Sequence, residues 1–524
     1  MKLIIVPIAA LLFLPFIGLI LPMNPLVQSG VIELNSTSNL QHLWEYLLPS
    51  YLIETSKLML GVTFGVLMLG IGNAWLVVNY EFPGKKVIEL ALIMPLAIPA
   101  YVMAYLFVDL LQFSGPIQTS IRMVFRSDSL WFFPEPRSLL GAILTFSLCL
   151  YPYVYLIMRT QFIERNSTLM EVSATLGYSQ TQTFYKLALP MARPAIMAGI
   201  ALVMMEVLAD YGAVSYFGIQ TLSTGIFKAW LSFGDRVSAI QLALGLCVVV
   251  IFLLSIEQMS RSKIRYAKNQ KKSLKVIKLG WVNALFACVF SGGTVFLGFL
   301  LPVSLLLQSV YQIGFQVDAS YLNWLSNSLL VSLTTTFISV LIAVGLAYLV
   351  RVNPSYFWLN RLLGFGYAIP GMVLGIGVLS LLEFLELAWW ISTCLWILIY
   401  AYIVRFLASS IQSLEAGFSR ISISIDESAS LLGQTRYQIL KRIHLPLLSR
   451  SITIGAIFVF LDVLKELPAT MLLRPFNFDT LAMKIYQFAA DERLSDLAQP
   501  SLTIVLVGLI PVFILTIFLE KNTK

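Results

Sequence analysis

The sequence predicts an all-α integral membrane protein of about twelve transmembrane helices, arranged as two pseudo-symmetric, parallel six-helix halves. Three observations carry that prediction. Of 524 residues, 58% are hydrophobic and only 12% charged, whereas a soluble domain runs nearer half apolar and a quarter charged. Apolar stretches of about 20 residues, enough to cross the hydrocarbon core as helices, recur along the whole chain. Finally, a polar stretch at 171–190, EVSATLGYSQTQTFYKLALP, returns at 427–446 as ESASLLGQTRYQILKRIHLP. Glu171, Gly177, Leu189 and Pro190 are matched by Glu427, Gly433, Leu445 and Pro446, each 256 positions on.

The predicted spans are 3–23, 55–79, 87–111, 138–158, 194–214 and 237–256, then 281–308, 326–350, 362–385, 389–408, 450–470 and 499–519. The first resembles a signal peptide in its opening but is long and lacks a small-x-small cleavage site, so it reads as a retained helix. Cys149, Cys247, Cys288 and Cys394 lie in apolar runs and do not form a disulfide framework. His42 and His444 are the only histidines, which argues against a histidine metal site. The net charge of +8 comes mostly from residues flanking apolar segments. That is the pattern of membrane orientation rather than of nucleic-acid binding.

Charge placement sets the sides. The stretch 257–280 carries eight Lys or Arg against one acid, Glu257, and is therefore expected in the cytoplasm. With six spans on either side, both termini are expected there too, and the loop 309–325, which has no Lys or Arg, falls outside. The chain divides into a first helix and external loop (1–50), a first six-helix domain (51–260), a basic linker (261–280), a seventh helix and external loop (281–325) and a second domain (326–520). Ile98-Pro99 recurs as Ile369-Pro370, a further echo between the halves. An even number of spans per half gives both the same orientation, so both polar stretches face the cytoplasm. Inverted-repeat carriers place their symmetric elements on opposite sides.

Each polar stretch reads as a helix, a turn and a second helix. Thr168 with Glu171, and Ser424 with Glu427, have capping-box spacing at a helix start. Gly177 and Gly433 suit a left-handed C-terminal cap. Ser179 with Gln182, and Thr435 with Gln438, then offer a second box. Phe184 and Leu187, or Leu440 and Ile443, form an apolar stripe. Pro190 and Pro446 are expected to close the unit. An ordinary cytoplasmic hairpin would also look like this, but duplication with fixed spacing favours a rigid docking knob.

The pattern Glu-x5-Gly, nine residues, an apolar residue (Leu187 or Ile443), one more and Leu-Pro resembles the EAA loop of type I ABC importer permeases. The resemblance covers roughly 50–260 and 326–520. It departs at the two alanines that usually follow the glutamate, which are Val172-Ser173 and Ser428-Ala429 here. It implies the ABC type I permease fold, with Glu171, Ala174, Gly177, Glu427, Ala429 and Gly433 docking two ATP-binding cassette subunits. No Gly-x4-Gly-Lys-Ser/Thr phosphate loop occurs in the chain. The chain is accordingly expected to be a transport subunit of the cell (inner or plasma) membrane, not itself an enzyme, with no cofactor of its own and ATP-Mg on the partner.

The echo continues into spans 5 and 11, where EVLADYGAV (206–214) aligns with DVLKELPAT (462–470). Glu206, Asp210, Asp462 and Glu466 are thus expected at symmetry-related depths. An intramembrane charge costs roughly 2.5–3.5 kcal/mol on insertion scales. The four either line a pathway or gate suited to a cation, or hydrogen-bond neighbouring helices and pair with Lys465 and Arg474. The segment 465–492 looks like that of ferric-iron permeases, which implies import of Fe(III) delivered by an external binding protein, periplasmic or lipid-anchored. No metal ligand set within the chain is expected. Fused permeases for thiamine, phosphonates or other small solutes share much of the motif. An ATP-independent channel or carrier would leave the duplicated stretch unexplained.

Overall fold

The computed structural model describes residues 2–20, 45, 47–126, 130–261, 276–386 and 394–520. Most of the basic linker, most of the first external loop and the start of the tenth predicted span lie outside them. Among the described residues, nine helices are long and apolar enough to cross a bilayer. Three shorter apolar helices, Ala10–Ile20, Gly371–Phe384 and Ala498–Ile514, bring the number to the twelve expected.

In chain order the first half comprises α1 (Lys2–Ile20), α2 (Leu48–Asn79), β1 (Tyr80–Glu81), α3 (Lys85–Ala91), α4 (Ala100–Leu111), α5 (Pro116–Phe125), α6 (Leu139–Thr175), α7 (Gln180–Ala209), α8 (Gly212–Tyr216), α9 (Leu222–Phe227) and α10 (Arg236–Arg261). The second comprises β2 (Ile277–Lys278), α11 (Trp281–Ile313), α12 (Ala319–Val352), α13 (Phe357–Ala368), α14 (Gly371–Phe384), α15 (Leu395–Phe418), α16 (Ile423–Leu431), α17 (Arg436–Leu464), α18 (Pro468–Leu473), α19 (Leu481–Ala490) and α20 (Ala498–Glu520).

Four predicted spans are not the continuous helices expected. Span 87–111 is α3, a 3-10 turn at Met94–Ala97, and α4, while span 362–385 is α13 and α14. The breaks fall at the duplicated Ile-Pro pairs, where Ile98 (ψ 121°) and Ile369 (ψ 126°) are extended and Pro99 and Pro370 cap the following helix. A proline lacks the N–H for the helical ladder and pushes its predecessor out of the helical region. Spans 194–214 and 450–470 stop at Ala209 and Leu464, and short helices α8 and α18 follow.

The halves embrace each other. α1 lies on the second half, where Gly18 meets the Gly377 backbone and Tyr400 Oη donates to the Leu11 carbonyl at 2.6 Å. α11 lies on the first half, where Asn73 Nδ2 donates to Thr294 Oγ1 at 3.3 Å. Tyr80–Glu81 pairs in parallel with Ile277–Lys278, tying the end of the linker to the first half.

Candidate functional site

Two places gather the residues singled out by the sequence. The first is the pair of polar hairpins. α6 runs unbroken from its N-cap at Ser138 to Thr175, so no helix starts at Thr168. In the second copy α15 stops at Phe418 and α16 is capped by Ser422, whose Oγ accepts from the Ser424 amide. The capping boxes expected on Thr168/Glu171 and Ser424/Glu427 are therefore absent, because both helices begin upstream of those hydroxyls.

The duplicated device lies at the other end of these helices. Gly177 (φ 63°) and Gly433 (φ 76°) are left-handed. Tyr178 N–H donates to Ser173 O at 3.0 Å and Gly177 N–H to Ala174 O at 3.3 Å. Gln434 N–H donates to Ala429 O at 3.1 Å and Gly433 N–H to Ser430 O at 3.0 Å. Both are Schellman closures. The second boxes form as expected, Ser179 with Gln182 and Thr435 with Gln438. Each return helix then widens into a π turn, Thr183–Ala188 or Leu440–His444. Pro190 and Pro446 follow in the first turn after it and do not close the unit, which runs on as one helix into the bilayer. The wider turn accommodates the donor that proline lacks.

Glu171, Ala174, Gly177, Glu427 and Gly433 are exposed, whereas Ala429 is buried under its own hairpin beside the return helix. Ser173, its counterpart, is buried too and bonds Thr183 through the two hydroxyls. Around the exposed set stand uncovered apolar side chains: Val172, Leu176 and Tyr185 on one hairpin, Leu431, Leu432 and Tyr437 on the other. Apolar patches rimmed by polar groups mark protein contacts.

The second place is a cavity of about 80 Å³ between the halves, lined by Glu206, Asp210, Asp462 and Glu466 together. It lies about 40 Å along α7 from the hairpin, at 1.5 Å per residue. Asp210 Oδ1 accepts from the Ala213 amide at 2.8 Å and Glu466 Oε1 from the Ala469 amide at 3.1 Å, so these two carboxylates cap α8 and α18. Glu466 also accepts from Arg405 Nη1 at 2.6 Å, and Asp462 lies 3.4 Å from Lys465 Nζ. Glu206 accepts from Tyr367 Oη of the other half at 2.7 Å. Arg474 instead pairs with Asp479, so the expected Arg474 partnership is not formed.

Arg405 escaped the sequence reading, although it is the single charge in span 389–408, a signal that marks such residues. Gly371 makes room for its ion pair: a Cβ there would meet Arg405 Nη1 at 2.2 Å and Glu466 Oε1 at 2.3 Å. Beyond the cavity the halves meet. Tyr211 stacks on Phe227 at 4.0 Å and its hydroxyl lies 3.3 Å from that of Tyr486, and Arg236 pairs with Glu383. Among the described residues, no three His, Cys, Asp or Glu side chains converge to hold a metal ion.

Residues 61–266 match the family model described as binding-protein-dependent transport system inner membrane component. The chain is 27% identical to the Fe(3+)-transport system permease protein of Haemophilus influenzae, over 98% of this chain and 97% of that one. It is 27% identical to the sulfate transport system permease protein of Escherichia coli over 40% of this chain and 72% of that one. With the molybdenum transport system permease protein of the same organism it shares 28% over 33% of this chain and 71% of that one.

Proposed function

Because the chain belongs to the inner-membrane permeases of binding-protein-dependent ABC importers, we propose that it conducts Fe(III) handed over by an external binding protein. Two ATP-binding subunits dock on the hairpins at 171–190 and 427–446, with both termini on their side of the membrane. Their closure rocks the halves between outward-open and inward-open states. The contacts of Tyr211 with Tyr486 and of Arg236 with Glu383 form the outer closure.

The charge pattern of the cavity carries the choice of a cation. Both of its cationic side chains are matched within the second half, Arg405 by Glu466 and Lys465 by Asp462. The carboxylates of the first half are held by neutral donors instead, Tyr367 Oη and the Ala213 amide. An oxyanion such as sulfate, the cargo named for one relative, would need Arg405 or Lys465 released from its acid. The likeness to the Fe(3+) permease over both halves supports iron among cations.

The test is ATPase activity of the reconstituted transporter with its binding protein loaded with Fe(III) or empty. Loaded protein is expected to stimulate hydrolysis several-fold over empty protein. Equal rates would remove iron, and stimulation by a sulfate- or molybdate-loaded protein would replace it with an oxyanion.

A further inference from the structure

The four carboxylates of the cavity are not equivalent, and a fifth group distinguishes the two sides. Tyr101 lines the same cavity from α4, is only 3% exposed, and its hydroxyl has no hydrogen-bond partner. A buried phenol without a partner is costly unless something else satisfies it. It stands on the wall of the first half, the same wall that carries Glu206 and Asp210. Each of those carboxylates has further lone pairs beyond the one bond described above.

We propose that Glu206, Asp210 and Tyr101 form a one-sided transit station for a hard, oxygen-seeking multivalent cation, with Asp462 and Glu466 excluded as ligands. This rests on the cation reading above and adds which groups the cargo touches. Carboxylate and phenol oxygens suit hard cations; Cys149 lines the cavity too, but its thiol is turned to the Ile98 carbonyl, to which it donates at 3.4 Å. The second-half carboxylates are taken up by Lys465 and Arg405, so they shape the cavity without offering net charge. With two carboxylates and one phenol, the station holds its cargo partly hydrated. The cavity has room for several waters. A site that weak lets the cation leave, which transit requires.

Terbium(III), a hard trivalent probe whose emission nearby tyrosine rings sensitise, tests this directly. The full chain would be used in lipid nanodiscs with its ATPase subunits and without binding protein. One saturable terbium(III) site is expected. Glu206→Gln and Asp210→Asn should each weaken it about tenfold, and Tyr101→Phe severalfold, with sensitised emission lowered but kept by Tyr153 and Tyr211, which line the same cavity. Gln and Asn keep the acceptor oxygens for Tyr367 Oη and the Ala213 amide, so charge is removed while the hydrogen bonds stay. Asp462→Asn combined with Lys465→Met removes a matched pair and should change affinity less than twofold. Unchanged binding in both Glu206→Gln and Asp210→Asn, in correctly assembled transporter, overturns the station. Equal losses from the Asp462/Lys465 variant overturn its one-sidedness in favour of a four-carboxylate site. Stimulation by Fe(III)-loaded binding protein without any terbium(III) site sinks the station alone. A terbium(III) site without that stimulation sinks iron and keeps a hard-cation station.

Discussion

In the first half, Glu89 on α3 accepts from Arg159 on α6 at 2.8 Å. At the matching place in the second half, Asn360 on α13 donates to Glu415 on α15 at 2.7 Å. The bond joins the same two elements in each half, yet the acid has moved to the other helix and the arginine has gone. The same contrast appears elsewhere. The Schellman closures, the second capping boxes, the π turns and the carboxylate caps on α8 and α18 are all duplicated in geometry. Cys149 stands where the second half has Arg405, Ala209 where it has Lys465, and Ala188 where it has His444. His444 is fully buried, with Nε2 2.9 Å from Asp426, which accepts from Arg351 Nε at 2.9 Å. Met170 occupies the position of Asp426 in the first copy.

The comparison teaches that the two kinds of feature answer different requirements. On the docking proposed above, each ATPase subunit meets one hairpin, and two knobs of the same shape require backbone devices that agree. The cavity lies between the halves, and its contents experience the sum of both walls. Cationic side chains can therefore be placed on one side only, each matched by an acid nearby.

The largest effect expected from this contrast is at Arg405. Arg405→Met leaves Glu466 buried and unmatched, and removing one member of a buried pair costs about 3–5 kcal/mol. The drop should be visible as reduced thermal stability of the purified transporter, and adding Glu466→Gln should recover most of it. Cys149→Ala, the same place in the first half, should cost only about 1 kcal/mol. Similar losses from Arg405→Met and Cys149→Ala would break the claim that the cavity's ion pairs are confined to one wall.

Smaller and symmetric effects are expected at the hairpin glycines. A Cβ on Gly177 or Gly433 would meet nothing within 4 Å, so alanine costs only the left-handed backbone, about 1–2 kcal/mol. The cost should be the same in both copies and appear as ATP hydrolysis poorly coupled to uptake, with assembly intact. A difference above about 1 kcal/mol between Gly177→Ala and Gly433→Ala would show that the two knobs are not geometric equals.

How much of this was legible in the sequence depended on the range of the signal. The hairpins stood out because polar residues at fixed spacing contrast with a greasy background. Their turn glycines and second boxes are local chemistry and formed as read. The first boxes do not form, for a reason also present in the chain. Between Arg159 and Thr168 there is no Gly or Pro, so the transmembrane helix simply continues past Thr168. In the second copy Gly417 sits near the break, where the first has Gln161. The Arg405–Glu466 pair joins residues on different helices, which no spacing rule reaches. Arg474 looked close to the acids along the chain, but the turn through α18 carries it away to Asp479. Tyr101 and Tyr367 are ordinary residues in apolar spans, and only the assembled cavity gives them a role.

The smallest effect is the most exacting test of equivalence. In the first hairpin the Gln182 amide donates to Ser179 Oγ while Gln182 Oε1 accepts from the Ser179 amide. In the second the same bonds join Gln438 and Thr435, and the amide-to-hydroxyl distance is 3.3 Å in both. Ser179→Ala and Thr435→Ala each remove one cap, worth about 1 kcal/mol. Hydrogen exchange at the Gln182 and Gln438 amides should then quicken roughly fivefold in each variant, at its own site alone. The second hairpin carries the extra Arg351–Asp426–His444 fastening, but those groups hold the other end of the unit. If that fastening, which grips the return helix at His444, also braced its first turn, Thr435→Ala would quicken exchange distinctly less than Ser179→Ala. Equal acceleration is expected, because a cap is satisfied within one helical turn and does not sense charges held elsewhere in the hairpin.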